Sequence, residues 1–279
     1  MTNKDTILQD RSSLSAPHQV TVTHLDWDVT VDFAASSVRG QVKYKIQRVN
    51  PAATTLQLDT AHLVIEGVTD GTTGAALVYQ ENKSTAEHLG TQLVIELHKD
   101  TTQVCITYQT TRASSALQWL PPAQTVGKVY PYLFTQCQAI HARSLLPCQD
   151  RPGVKITYQA HVTTPSWATC VMSAVLQKKQ FNDATDTTTF VWEQKIPISS
   201  YLVALAVGDL AKKDISERCA VWSEPGLVEA AAYEFAQTEA FLQIAETLAG
   251  KPYVWGRYDL LCLPPSFPFG GKVFEWCFL

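Results

Sequence analysis

The 279-residue sequence contains no run of about eighteen apolar side chains, so no segment reads as a helix long enough to span a bilayer. Its opening stretch, Met1-Thr-Asn-Lys4-Asp5-Thr-Ile-Leu-Gln-Asp10, has no apolar core and does not read as a secretory signal. No Cys-x-x-Cys occurs among its seven cysteines, Cys105, Cys137, Cys148, Cys170, Cys219, Cys262 and Cys277. Odd in number and scattered, they fit reduced thiols in the cytoplasm rather than a disulfide framework or a zinc knuckle. No His-x-x-x-His pair occurs among the seven histidines, so no helix presents two imidazoles to a metal on one face. A Gly-x-Ser-x-Gly elbow, a P-loop and a dinucleotide fingerprint are missing as well. Neither sign of charge dominates: 22 basic against 26 acidic residues give no reason to expect a nucleic acid or an anionic membrane as partner.

Alternating apolar residues fill most of the chain. After a polar leader over 1–15, Leu25, Trp27, Val29, Val31 and Phe33 alternate within a segment running from His18, and Val42, Tyr44 and Ile46 resume the pattern after a turn at 34–39. A long hairpin is expected there. Further strands are expected at Leu56–Leu58, at Leu63–Ile65, over 76–80, 91–97 and 103–108, and then over 154–162, 167–176, 187–194 and 201–207. The fold class is mainly β, an antiparallel sandwich or saddle to about residue 210. Beyond Pro225-Gly226, the apolar positions from Leu227 to Leu248 predict one helix of about twenty residues closed by Gly250 and Pro252, and Tyr258–Leu263 predicts one more strand. A second, α-containing domain is expected to begin there.

The densest chemistry lies between strands, over Pro131–Tyr158. Gln136 and Gln138 are two amides one residue apart; on an extended backbone both would line one wall and could donate to and accept from a peptide. They could equally satisfy backbone groups of the crossover itself. His141 beside Arg143 reads as a structural histidine before a catalytic base, and Cys137 could serve as a nucleophile only beside a base in an electropositive site.

The stretch Pro131-Tyr-Leu-Phe-Thr-Gln-Cys-Gln-Ala-Ile-His-Ala-Arg-Ser-Leu-Leu-Pro-Cys-Gln-Asp-Arg-Pro-Gly-Val-Lys closely resembles the N-terminal domain of the M1 zinc aminopeptidases, in the branch of leukotriene A4 hydrolase and aminopeptidase B. Leu263-Pro-Pro-Ser-Phe-Pro-Phe-Gly-Gly resembles the start of that group's substrate-binding loop, and the likeness runs in order through nearly the whole chain. The resemblance implies a saddle-like antiparallel β domain over 16–210 and the incomplete start of a thermolysin-like α/β catalytic domain over 211–271. It also implies a family reaction, the zinc-dependent removal of N-terminal residues from peptides, with epoxide hydrolysis in the leukotriene branch. By position, Gln136, Cys137 and Gln138 match the segment that contacts the substrate peptide, and Pro268, Phe269, Gly270 and Gly271 match the loop beside the scissile bond.

The departure comes at Lys272. Where the family continues Gly-x-Met-Glu-Asn, whose glutamate holds the substrate's α-amine, this sequence reads Lys272, Val273 and Phe274, and a divergent apolar tail fills 272–279. Neither that anchor nor a His-Glu-x-x-His zinc motif occurs in the sequence. The expectation is therefore a truncated isoform or altered reading frame with no catalytic residue, no metal ligand and no cofactor in this chain, inactive by itself. The apolar tail calls either for a partner that covers it or for a fold left incomplete. The alternative is a non-catalytic β-domain protein that binds peptides or partner chains.

Overall fold

A computed structural model of the chain describes residues 10–265. The described residues are mainly strand, in several largely antiparallel sheets, and they divide into two compact units. The units interleave in sequence. The first takes the chain through Leu117, then Gln136–Val162 and Pro197–Val203; the second takes Gln118–Thr135, Thr163–Ile196 and the chain from Ala204 on.

In the first unit the expected hairpin pairs Val20–Asp32 with Ser37–Arg48. The pairing shifts between Val22 and His24, so that Val20 and Val22 are buried before the irregularity and Leu25, Trp27, Val29 and Val31 after it. Without that extra residue, a strict period of two would send the two valines to the opposite face from Leu25. Phe33 lies past the strand's end and is only half-buried. Neighbouring strands follow in the order Lys155–Pro165, Val20–Asp32, Ser37–Arg48, Gln103–Thr110, Leu63–Asp70. Their buried aromatics are hydrogen-bonded: Trp27 Nε1 donates to Tyr108 Oη at 2.7 Å, and Tyr44 Oη donates to the Pro147 carbonyl. A separate sheet orders Thr55–Thr60, Thr91–Glu96 and Tyr79–Lys83. The last of these begins three residues later than the expected 76–80, because Ala76 only bridges to Thr69.

The second unit holds the sheet ordered Thr169–Met172, Leu205–Gly208, Tyr132–Thr135, Leu117–Leu120, together with the hairpin of Val175–Asn182 and Thr187–Ser199. Gly208 lies directly under the Tyr132 ring: a Cβ there would sit 2.4 Å from Cδ2. Two strands past residue 210 were not expected, Ala211–Asp214 and Cys219–Ser223, which pair antiparallel. Cys219–Ser223 also pairs in parallel with Tyr258–Leu261. A parallel pair needs a crossover, and helices supply it.

The single helix expected over 227–248 is two helices, Val228–Glu234 and Thr238–Ala249. Phe235 and Gln237 leave the helical region at ψ 13° and 1°, and the Thr238 hydroxyl donates to the freed Phe235 carbonyl at 2.7 Å. A continuous apolar period therefore conceals a capped break. The closing residue is as expected, Gly250 in the left-handed region at φ 63°. No helix among the described residues is long and apolar enough to cross a membrane.

Candidate functional site

The site is built on the crossover that follows the Tyr132–Thr135 strand. Its backbone is not extended past Cys137. Residues 138–140 form a turn, closed by the His141 N–H donating to the Cys137 carbonyl at 2.9 Å, and the Gln138–Ala139 peptide is cis. The two amides are consequently related through the turn rather than through strand geometry: Gln136 Oε1 accepts the Gln138 N–H at 3.2 Å. Gln136 is half-buried and Gln138 is exposed. The Gln136 N–H is held by the Ala116 carbonyl at 2.9 Å.

Cys137 points inward and is fully buried. Burial first, and the Asp150 carboxylate second, push its thiol well above the ordinary range, the reverse of what a nucleophile needs. His141 is structural: its Nδ1 lies 2.6 Å from Ser115 Oγ. Its carbonyl accepts the Ser144 hydroxyl at 2.8 Å, and that hydroxyl oxygen accepts the Ala116 N–H at 2.9 Å.

Beneath the turn lies a buried ionic cluster. Arg143, Asp59 and Asp150 are each at most 1% exposed. Arg143 donates from its backbone N–H and from Nε to Asp150 Oδ2, at 3.2 and 3.0 Å, and its Nη1 stands 3.7 Å from Asp59. Its remaining donors reach the Leu89 and Ser12 carbonyls at 2.9 and 2.7 Å. Asp59 in turn accepts the Ser13 hydroxyl, the Leu14 N–H and the Asp150 N–H at 2.6, 2.6 and 2.9 Å. Even so, burial outweighs the guanidinium and these donors, and the Asp59 carboxyl is held above its usual range. Ser200 completes Asp150 at 2.8 Å. One residue before Asp150, Gln149 accepts the Val22 N–H at 3.0 Å and donates to the Val20 carbonyl at 2.8 Å, satisfying the strand edge just before its irregularity. The turn carrying Gln136 and Gln138 thus stands on a fully bonded polar base.

Compared with known families, residues 21–202 match the Peptidase M1 N-terminal domain. The chain belongs to the M1 peptidase family. It is 40% identical over 271 residues to leukotriene A-4 hydrolase of Xenopus laevis, covering 95% of this chain and 44% of that protein. Leucine aminopeptidase 2 of Aspergillus fumigatus is 36% identical over 278 residues, covering 97% of this chain and 45% of that one. Among solved structures, native yeast leukotriene A4 hydrolase superposes with a TM-score of 0.85 at 35% identity, over 95% of this chain and 41% of the other. The chain therefore spans less than half the length of these M1 relatives.

Of the residues expected at an M1 substrate site, Gln136, Cys137 and Gln138 come together at the turn, with Cys137 facing away from solvent. Pro268, Phe269, Gly270 and Gly271 lie outside the described residues, as do Lys272 and the tail that follows. Among the described residues no group of three or more His, Cys, Asp or Glu could hold a metal ion. These residues do not fit the family's zinc, and no catalytic step is assigned to them. Sequence reasoning missed the Arg143 cluster. The available signal was an arginine and an aspartate flanking the apolar Leu145-Leu146-Pro147-Cys148 run, a composition that demands buried ion pairing.

Proposed function

We propose that this chain supplies the peptide-recognition side of an M1 aminopeptidase of the leukotriene A4 hydrolase and leucine aminopeptidase type. In such a protein the reaction is removal of N-terminal residues from peptides, with epoxide hydrolysis in the leukotriene branch. The carrying observation is the 136–141 turn: it projects Gln138 into solvent from a base of buried, satisfied hydrogen bonds, which is how a scaffold pre-organises a recognition amide. Gln136, Gln138 and the buried spacer Cys137 form the substrate-contacting segment, and by the family resemblance Pro268, Phe269, Gly270 and Gly271 belong to the substrate-binding loop. We place the β domain at 16–210 and the start of the catalytic domain at 211–271. The six cysteines among the described residues are free thiols, which supports a cytoplasmic location.

The 279-residue chain by itself is catalytically incompetent in this reading, because its sequence has no His-x-x-x-His pair. The purified chain, supplied with zinc and an aminoacyl-anilide, turns over no faster than a blank. It binds a fluorophore-labelled tri-alanine peptide saturably, and Gln136→Ala or Gln138→Ala each raises Kd roughly three- to tenfold, the worth of one neutral hydrogen bond. Chelator-sensitive turnover would overturn the incompetence, and binding indifferent to both glutamines would overturn the recognition wall. The second reading is a β-domain protein that binds peptides or partner chains without cutting them, supported by the same solvent-facing Gln138 on its hydrogen-bonded base. It predicts the same binding with no longer transcript encoding a zinc motif.

A further inference from the structure

Residues 10–15 read in the sequence as the end of a polar leader, yet they are built into the ionic cluster beneath the 136–141 turn. Asp59 takes two of its donors from this segment, the Ser13 hydroxyl on Oδ2 and the Leu14 N–H on Oδ1, each at 2.6 Å. Arg143 places Nη2 on the Ser12 carbonyl at 2.7 Å. Gln92 fixes the segment independently, donating from Nε2 to the Leu14 carbonyl at 2.6 Å. The buried Ser15 hydroxyl lies 2.6 Å from that of Ser13 and, because the Ser13 proton goes to Asp59, is the donor of that pair. Further along, Asp10 accepts the Ser12 N–H at 2.9 Å and stands 3.8 Å from Arg151. A leader bonded to buried charges in this way is a strap and not a tail.

The cluster in turn carries the recognition turn. Arg143 lies in the buried single turn Ala142–Ser144, directly after His141. Its backbone N–H and Nε are taken by Asp150, and its carbonyl accepts the Ala61 N–H at 2.9 Å, close along the chain to Asp59. Asp59 also accepts the Asp150 N–H at 2.9 Å, so a shift of Asp59 is felt by both carboxylates that face Arg143. A buried carboxylate that loses a donor either draws in water or moves toward its remaining partners. Both responses reach Arg143, and then the turn itself through Ser144, whose hydroxyl bonds the His141 carbonyl at 2.8 Å. We propose that Ser12, Ser13 and Leu14 are positioning residues of the recognition turn, holding Gln138 in place through Asp59 and Arg143, a role that rests on the reading of Gln136 and Gln138 as recognition amides.

Ser13→Ala in the full chain removes one donor from Asp59, and Ser13→Thr keeps the hydroxyl. Amide hydrogen exchange on the ligand-free chain reads the turn directly, at the His141 N–H that donates to the Cys137 carbonyl. The Ile46 N–H, which donates to the Thr102 carbonyl at 3.0 Å in the same unit, is the reference. In Ser13→Ala, His141 should exchange roughly threefold or more faster with Ile46 unchanged, and Ser13→Thr should return the parent rate. Binding of fluorophore-labelled tri-alanine is the second readout. Ser13→Ala should raise Kd roughly two- to fivefold in the parent chain and leave it unchanged in Gln138→Ala, where the amide it positions is gone. Equal acceleration at His141 and Ile46 would overturn the proposal by showing that the strap adds only general stability. So would an unchanged rate at His141, or a Kd effect of the same size in both backgrounds. Peptide binding indifferent to Gln136→Ala and Gln138→Ala would instead overturn the recognition reading, and exchange at His141 would still decide whether the strap holds the turn.

Discussion

Arg143 carries a charge that is only 1% exposed, and four guanidinium hydrogen bonds and two carboxylates make that tolerable. A buried ion pair adds little over a well-packed apolar substitute, but removing one member leaves the other buried and uncompensated. Arg143→Met deletes the guanidinium and leaves Asp59 and Asp150 facing each other across the vacated space. The expected loss is about 3–5 kcal/mol in urea unfolding. Arg143→Lys recovers only part of it, because one ammonium cannot reach Asp150, Leu89 and Ser12 together. A loss under about 1 kcal/mol for the methionine variant would mean that the cluster relaxes into solvent. Gly208→Ala is a second test at this scale, since its methyl would meet the Tyr132 ring at 2.4 Å. It should cost about 1–3 kcal/mol, and Tyr132→Leu in the same chain should relieve part of that by removing the obstructing edge.

At the scale of elements, Arg218 fastens the Thr238–Ala249 helix to the start of the central Cys219–Ser223 strand by reaching Glu239 and Glu246, two turns apart on one face. Hydrogen bonding to that guanidinium is the main reason both carboxyls are lowered, each to about 2. A carboxylate whose folded pKa is depressed stabilises the fold above its unfolded value, near 4.5, and the benefit is lost as pH falls through about 2. Arg218→Gln should therefore lower Tm at pH 7, and the difference from the parent chain should shrink between pH 4.5 and 2. A difference constant across that window would mean that the arginine acts through packing alone. Long strands were legible because burial on one face writes a period of two, as in Val20–Asp32 and Gln103–Thr110. Ala211–Asp214 was not, since its adjacent Lys212 and Lys213 show no alternation, and the break at 235–237 was hidden by an unbroken apolar period. The Gln136 and Gln138 pair was visible as chemistry but its turn was not. Arg143 meets Asp59 across 84 residues, a contact that no local pattern encodes.

For the whole molecule, the interleaving of the two units decides what a fragment can retain. The first unit is completed only at Val203, because Ser200 supplies the last hydrogen bond to Asp150. Truncation after residue 210, the expected domain boundary, leaves every member of the Arg143 cluster in place. The second unit fares differently: Glu224, 4% exposed, accepts the Val126 N–H at 2.9 Å and the Gly127 N–H at 3.4 Å, so the 125–130 loop is tied to a residue that the fragment loses. In hydrogen exchange the 1–210 fragment should keep the slow amides of Asp59 and Cys148, which donate to each other's carbonyls at 2.7 and 3.1 Å, while Val126 and Gly127 lose protection. Glu224→Ala in the full chain should reproduce the loss at Val126 and Gly127 alone. If Asp59 and Cys148 exchange rapidly in the fragment, the first unit is not autonomous and the boundary at 210 fails. If Val126 stays protected in both, the loop is held by something other than the glutamate, and the strands beyond 210 belong to a separate folding unit.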